Sequence, residues 1–258
     1  MVEYLFEPID GLFKLALTLI LLAVIILLSR YRKLDIEEEL IVATVRGFMQ
    51  LMFLALILTF IFESHLVLVL VVYGVMILMA GYTSSKRAKK LKAPLELTTT
   101  SILVGAGITL IIMILTGIIP LRMEFLIPLG GMVIGNSMIN CSLALDRLGS
   151  DIQSNRNKIE AALSLGATSE QASLPQVRAA VRASLIPTID NLKTLGIILI
   201  PGTMTGLLIA GADPIWAASY QLIIFFMILC AGSITIITAT YLAQQKLFSK
   251  KHQLIDIN

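Results

Sequence analysis

Seven stretches of this sequence are apolar enough, and long or nearly long enough, to cross a bilayer: 11–29, 40–62, 66–83, 97–119, 126–145, 195–211 and 217–243. A hydrocarbon core of about 30 Å takes about 20 helical residues to span. A single chain with this pattern satisfies its backbone in lipid only by coiling each stretch into a helix. The sixth stretch is the shortest, with Pro201 and several glycines in or beside it. The expected fold is therefore an all-α polytopic membrane protein with about seven transmembrane helices. Composition agrees, since 57% of the residues are hydrophobic and 14% charged, against about 25% charged in soluble domains.

The positions of the basic residues set the orientation. Seventeen of the twenty lie in the first, third and fifth connections and in the tail, which places them all on one side. Arg122 alone lies on the other side, while Lys14 and Arg46 fall within spans. By the positive-inside rule the C-terminus is cytoplasmic and the N-terminus outside. An odd number of crossings follows. The basic run at 86–92 is read as a topogenic loop rather than a nucleic-acid site, so membrane lipid is the expected surrounding and no nucleic acid is expected. Localisation in the plasma membrane, the inner membrane if the cell is bacterial, follows.

The two cysteines, Cys141 and Cys230, both sit in apolar stretches, so they are read as free thiols rather than a disulfide framework. The first ten residues carry Glu3, Glu7 and Asp10 and no Lys or Arg, unlike a secretory signal, so the first apolar stretch is kept as a span.

One connection, 146–194, is much longer than the others. It is too short for a folded enzyme domain, but it carries helix signals. Ser154 is a candidate N-cap for a helix over 155–165, and Gly166 is a natural stop. Thr168 with Gln171 three residues later forms a capping-box pattern. Pro175 opens a further helix through Gln176–Leu185, which Pro187 interrupts. Ile159, Leu163 and Gly166 are spaced to share one face, a short apolar knob that needs a docking partner.

Within this connection, Glu160-Ala161-Ala162 followed by Gly166 resembles the EAA–G coupling motif of ABC-transporter permeases. Leu174-Pro175 comes early and Ile186-Pro187 late relative to that motif's apolar-Pro ending. A second resemblance covers nearly the whole chain. Ile134-Gly135-Asn136-Ser137-Met138, Leu143-Ala144-Leu145-Asp146-Arg147-Leu148 and Leu199-Ile200-Pro201-Gly202-Thr203-Met204-Thr205-Gly206 are similar to the bacterial FetB-type permease family. That family is linked to iron export and is similar to plant aluminium-tolerance half-transporters. The resemblance implies a single transmembrane permease domain over 1–258, a homodimeric permease and a separate ATPase subunit that binds ATP and Mg. It also implies an ATPase-coupling role for Ile159, Glu160, Ala161, Ala162, Leu163 and Gly166.

No Gly-x-x-x-x-Gly-Lys-Ser/Thr string is present to cradle a phosphate, so no cofactor is expected in this chain itself. The two histidines, His65 and His252, lie at an outer loop and in the tail, which leaves no intramembrane Ser–His–Asp set. The chain is expected not to be an enzyme.

Polar residues inside spans ask for a reason, because each ionisable group at mid-bilayer costs about 2.5–3.5 kcal/mol on insertion scales. Lys14 reads as an interfacial anchor. Arg46, with Gln50 one turn on, either snorkels to the interface or lines a translocation path. Met132, Asn136 and Asn140 form one stripe of the fifth span, either as glue between helices or as a polar path lining. Gly131 and Gly135 would let a helix approach closely. Thr203, Met204 and Thr205, between Gly202 and Gly206, mark a bend beside the path or a close-packed crossing. The eleven methionines offer soft-metal ligands, but iron(II) prefers nitrogen and oxygen donors, so the residues identify no metal site.

The leading reading is the permease subunit of an ABC exporter for iron or another metal. The alternatives are the same machinery carrying a nucleotide sugar or another small solute, and a non-transporting membrane scaffold or sensor working through the 146–194 loop.

Overall fold

The computed structural model describes residues 8–62, 66–88, 93–249, 253 and 254, without the side chains of 8–13 and 58–62. His65, His252, Lys250 and Lys251, and residues 89–92 of the basic run, lie outside the described residues. Among the described residues the regular elements are all helices, with two isolated bridges besides. It falls into two compact units, Met1–Ser64 and His65–Asn258.

The first unit is a pair of helices, α1 (Pro8–Arg32) and α2 (Glu37–Phe62). Arg30 and Arg32 end α1, and Glu37, Glu38 and Glu39 open α2. Each group complements the partial charge of the helix terminus it occupies. Between them Lys33 and Asp35 both adopt φ of 53°, which reverses the chain within a few residues. The apolar side chains of both helices, from Leu15 to Leu56, are exposed along most of their length. A helix apolar all round is stable in lipid, and both are long enough to cross it.

The second unit is a bundle of α3 (Val67–Ser85), α4 (Pro94–Leu115), α5 (Met123–Ser154), α6 (Arg156–Ser164), α7 (Ser169–Thr194), α8 (Gly202–Ile209) and α9 (Pro214–Leu247). The long helix α9 is the spine, packing against α4, α5, α7 and α8. Hydroxyls tie the neighbouring helices together. Thr98 of α4 donates to the Gly81 carbonyl of α3 at 2.8 Å, and Ser84 of α3 donates to the Met138 carbonyl of α5 at 2.9 Å. The Tyr73 hydroxyl donates to the Leu126 carbonyl. Such bonds hold helices together where lipid supplies no hydrophobic drive.

Close approach marks four glycines, Gly81 of α3 against Thr99, Gly130 of α5 against Tyr73, and Gly105 and Gly232. A Cβ on Gly105 of α4 would collide with Thr235 Oγ1 and lie 2.7 Å from the Ala231 carbonyl oxygen on α9. A Cβ on Gly232 of α9 would collide with Asn140 Nδ2 on α5. The sequence pointed instead to Gly131, Gly135, Gly202 and Gly206. Gly131 meets only the flexible Met76 Cε at 3.2 Å, and the other three face open space within this chain.

Among the described residues six helices are long and apolar enough to span a membrane: α1 to α5 and α9. The expected sixth span is different. Residues 195–211 do not form one membrane-length helix, because Leu195 bridges Leu199, Gly196 turns at φ +80°, and α8 has only eight residues. Eight residues rise about 12 Å, far short of the hydrocarbon core.

The chain covers that distance another way. Gln244 Nε2 of α9 donates to Ser173 Oγ near the start of α7 at 2.8 Å, and Gln221 Oε1 of α9 accepts from the Met204 N–H of α8 at 3.2 Å. Gln221 and Gln244 stand 23 residues apart on one helix, about 34 Å along its axis. From Ser173 to Met204 the chain therefore travels a full membrane thickness beside α9. Residues 173–194 of the long connection belong to this run. Its helix also differs from the expectation, since α7 is one continuous helix over Ser169–Thr194 with Pro175 and Pro187 both inside it.

Candidate functional site

At one end of the bundle α3, α5 and α9 finish while α4 and α7 begin. Lys246 of α9 pairs with Glu96 of α4 at 2.9 Å, and Arg147 pairs with Asp151 at 2.9 Å. The α5–α6–α7 connection projects from this charged end. Helix α5 runs as one piece through Ser154, so Asn155 rather than Ser154 separates it from α6.

The end of α6 is fixed by backbone bonds. The Ala167 N–H donates to the Ala162 carbonyl at 3.1 Å, and the Gly166 N–H to the Leu163 carbonyl at 3.0 Å. Gly166 adopts φ +91°. These are the two bonds and the left-handed residue of a Schellman stop. Thr168 then caps α7, with its Oγ1 accepting from the Gln171 N–H at 3.2 Å and its N–H donating to Gln171 Oε1 at 3.0 Å. The expected stop and the expected capping box are both present.

The two faces of α6 are sorted differently from the expectation. Ile159 is 1% exposed and turned into its own bundle, whereas Leu165 is 89% exposed. The outer surface comprises Glu160, Ala161 and Leu165, with Ala162 and Leu163 half-buried behind it. Glu160 is held by Arg156 at 2.8 Å. Ile159 is therefore the anchor that fixes α6 to the protein, and Leu165 is the apolar group left for a partner. Leu165 was missed because it sits past the periodic part of the helix, in the turn. At the start of α7 a cleft of about 330 Å³ opens between Ser169 and Glu170 and Tyr241, Gln244 and Gln245 of α9.

The expected path residues fall in separate places. Arg46 and Gln50 are exposed on α2 in the first unit. On α5, Asn136 is half-buried and turns its Nδ2 back to the Met132 carbonyl at 2.8 Å. Asn140 is buried against Gly232, its Nδ2 without a hydrogen-bond partner among the described residues. The stripe of Met132, Asn136 and Asn140 thus points partly into the helix seam. Ser137 Oγ and Thr235 Oγ1 are likewise buried and unpaired. On α8, Thr203 and Met204 are half-buried and Thr205 is exposed, with Thr205 Oγ1 donating to the Pro201 carbonyl at 3.1 Å. Gln221, which seats α8, was also missed, although a lone glutamine inside an apolar span is a readable signal. Among the described residues no three His, Cys, Asp or Glu side chains converge to hold a metal ion.

A multi-helix membrane bundle with one rigid projecting helix is the setting for the comparison with known proteins. Residues 12–248 match the model of the uncharacterised protein family UPF0014. The chain belongs to the UPF0014 family. It is 38% identical over 245 residues to the "Probable iron export permease protein FetB" of Escherichia coli K12, covering 94% of each chain. It is 35% identical over 253 residues to "Protein ALUMINUM SENSITIVE 3" of Arabidopsis thaliana, covering 98% of this chain and 93% of that one. A further UPF0014 membrane protein, YjkA of Bacillus subtilis, is 35% identical over 242 residues. No solved structure matches the chain. With its UPF0014 relatives named as permeases or membrane proteins and several membrane-length helices of its own, the chain is a multi-pass membrane protein of that family.

Proposed function

We propose that this chain is the permease subunit of an ABC exporter, working as a homodimer and driven by separate ATPase subunits that bind ATP and Mg. The cargo in this reading is iron or another metal. The observation that carries the proposal is the α6 knob. Leu165 is the exposed apolar tip of a helix fixed by a Schellman stop, by the buried Ile159 and by the Thr168 cap. Fully burying a leucine side chain gains about 1.5–3 kcal/mol, so an ordered, solvent-facing leucine on the charged end is suited to a pocket on a partner. Its place beside Glu160-Ala161-Ala162 and Gly166 fits an ATPase groove. The metal reading leans on the name of the Escherichia coli relative. In this topology the run of α7 and α8 beside α9 makes the seventh crossing, as a broken helix, and keeps the N-terminus outside and the C-terminus cytoplasmic.

The test is purification of the C-terminally tagged chain from its native membrane in mild detergent, with mass spectrometry of what accompanies it. A stoichiometric P-loop ATPase is expected. Its absence, even with the complex held by a non-hydrolysable ATP analogue, would overturn the coupling role and leave the scaffold alternative. Cellular metal content with and without the gene then tests the cargo.

A further inference from the structure

Helix α7 is the most charged part of the bundle that runs beside α9. Its buried residues Ser173, Ala180, Ser184 and Thr188 recur at helical spacing. They keep it packed on the bundle for about 22 Å. Its opposite face is exposed and carries Arg178, Arg182, Asp190 and Lys193. The Ser173–Gln244 bond sets the register against α9. From Ser173 these four lie about 8, 14, 26 and 30 Å along the helix. Helix α9 has no Asp, Glu, Lys, Arg or His between Asp213 and Lys246.

Two of these positions are readily explained at a membrane edge. Arg178 is near the charged end and can extend to the headgroups, and Lys193 pairs with Asp190 at 3.4 Å toward the far end. Arg182 is not. It lies one turn deeper than Arg178 on the same stripe, opposite the neighbourhood of Thr235, well inside the uncharged run of α9. An arginine keeps its charge under all ordinary conditions, and a charged side chain in hydrocarbon is strongly disfavoured. The stripe must therefore face water or protein.

We infer that the exposed stripe of α7 walls the translocation path, and that Arg178 and Arg182 receive an anionic group of the cargo at the path's mouth. This rests on the permease reading. Two guanidiniums one turn apart present planar forks of N–H donors that suit a carboxylate or phosphate. On this reading a metal would travel as an anionic complex rather than as a bare cation, and a non-metal cargo would carry a carboxylate or phosphate.

The experiment measures thiol accessibility in inverted membrane vesicles prepared from cells making the full complex. The background is Cys230→Ala, with Cys141 left in its buried position. A cysteine is placed at Ile186, exposed on the same stripe, and as control at Ile237, exposed on α9. The probes are small methanethiosulfonates, one with a sulfonate and one with a quaternary ammonium. The expected result is that I186C reacts at least tenfold faster than I237C and favours the sulfonate reagent. That preference should fall at least threefold with Arg182→Gln, and persist with Arg182→Lys. Equal, slow reaction at Ile186 and Ile237 would mean that lipid or a second protein surface seals the stripe, and would overturn the inference. A reactive I186C whose reagent preference ignores Arg178→Gln and Arg182→Gln would overturn the anion site. Failure to recover an ATPase would instead overturn the proposed drive, while leaving this accessibility pattern readable.

Discussion

Gln221 of α9 holds the backbone N–H of Met204 at 3.2 Å, which joins the N-terminal part of a long apolar helix to the first turn of a short one. Gln221 is buried, and the bond satisfies one of the orphan donors that every helix start leaves open. Gln221→Leu would remove the acceptor and strand that N–H. Leaving a buried donor unsatisfied costs about 1–3 kcal/mol. The expected outcome is a lower thermal midpoint in detergent, followed by size-exclusion chromatography, together with faster proteolysis at 195–201. An unchanged midpoint and an unchanged cleavage pattern would mean that α8 is seated by its apolar contacts alone.

The α5–α9 seam makes a second prediction, through Asn140 and Gly232. Gly232→Ala forces a methyl into the place of Asn140 Nδ2, and overpacking of this kind costs about 1–3 kcal/mol. Asn140 Nδ2 has no bond to lose among the described residues, so Asn140→Ala should relieve the clash. The double variant is expected to be more stable than Gly232→Ala alone. Gly105→Ala meets the Ala231 carbonyl, which is backbone and cannot rotate away. It should therefore be the more harmful of the two glycine changes, and Thr235→Ala should rescue it only in part. Additive effects of Gly232→Ala and Asn140→Ala in a stability cycle would refute the contact.

Much of this architecture is legible in the sequence because membrane helices announce themselves by length and apolarity. The residues near 11–29, 40–62, 66–83, 97–119, 126–145 and 217–243 all become long helices. The Gly166 stop and the Thr168–Gln171 box are local signals and appear as local signals should. What was not legible depends on neighbours. Residues 195–211 are apolar enough to suggest a span, yet Gly196 and Pro201 break them, and the depth is covered by polar α7, which no hydropathy window selects. Pro175 and Pro187 suggested breaks, but the packing of α7 on α5 and α9 keeps it continuous. The inward turn of Ile159 and the outward turn of Leu165 follow from how α6 seats on the bundle, which spacing along α6 alone does not specify.

The Thr168 cap supports a prediction about the linkage of α6 to α7. Thr168→Ala removes the acceptor for the Gln171 N–H, while the backbone N–H at 168 can still donate to Gln171 Oε1. Loss of an N-cap costs about 1 kcal/mol. The global fold should survive, while hydrogen exchange at residues 165–172 rises about five- to tenfold, in line with that loss. Exchange confined to its original rate would show that the turn is held by Ser173 and Gln244 instead.

The paired behaviour of Ile159 and Leu165 is the sharpest test of the docking helix. Both are branched aliphatics on one nine-residue helix and its cap, but they face opposite ways. Leu165→Asp puts a carboxylate into water and costs the isolated chain almost nothing, since surface substitutions stay within about 0.5 kcal/mol. If Leu165 enters a pocket on an ATPase, the same change places a charge in that pocket, and co-purification of the ATPase should fall at least tenfold. Ile159→Asp buries a carboxylate inside the bundle, so its primary effect is on folding. It should lower the yield and thermal midpoint of the chain itself, with partner loss only as a consequence. Measuring both the midpoint and the recovered ATPase separates the two. A Leu165→Asp chain that retains its partner in full, with an unchanged midpoint, would place the contact elsewhere on the charged end, with the Ser169–Gln245 cleft as the next surface to alter.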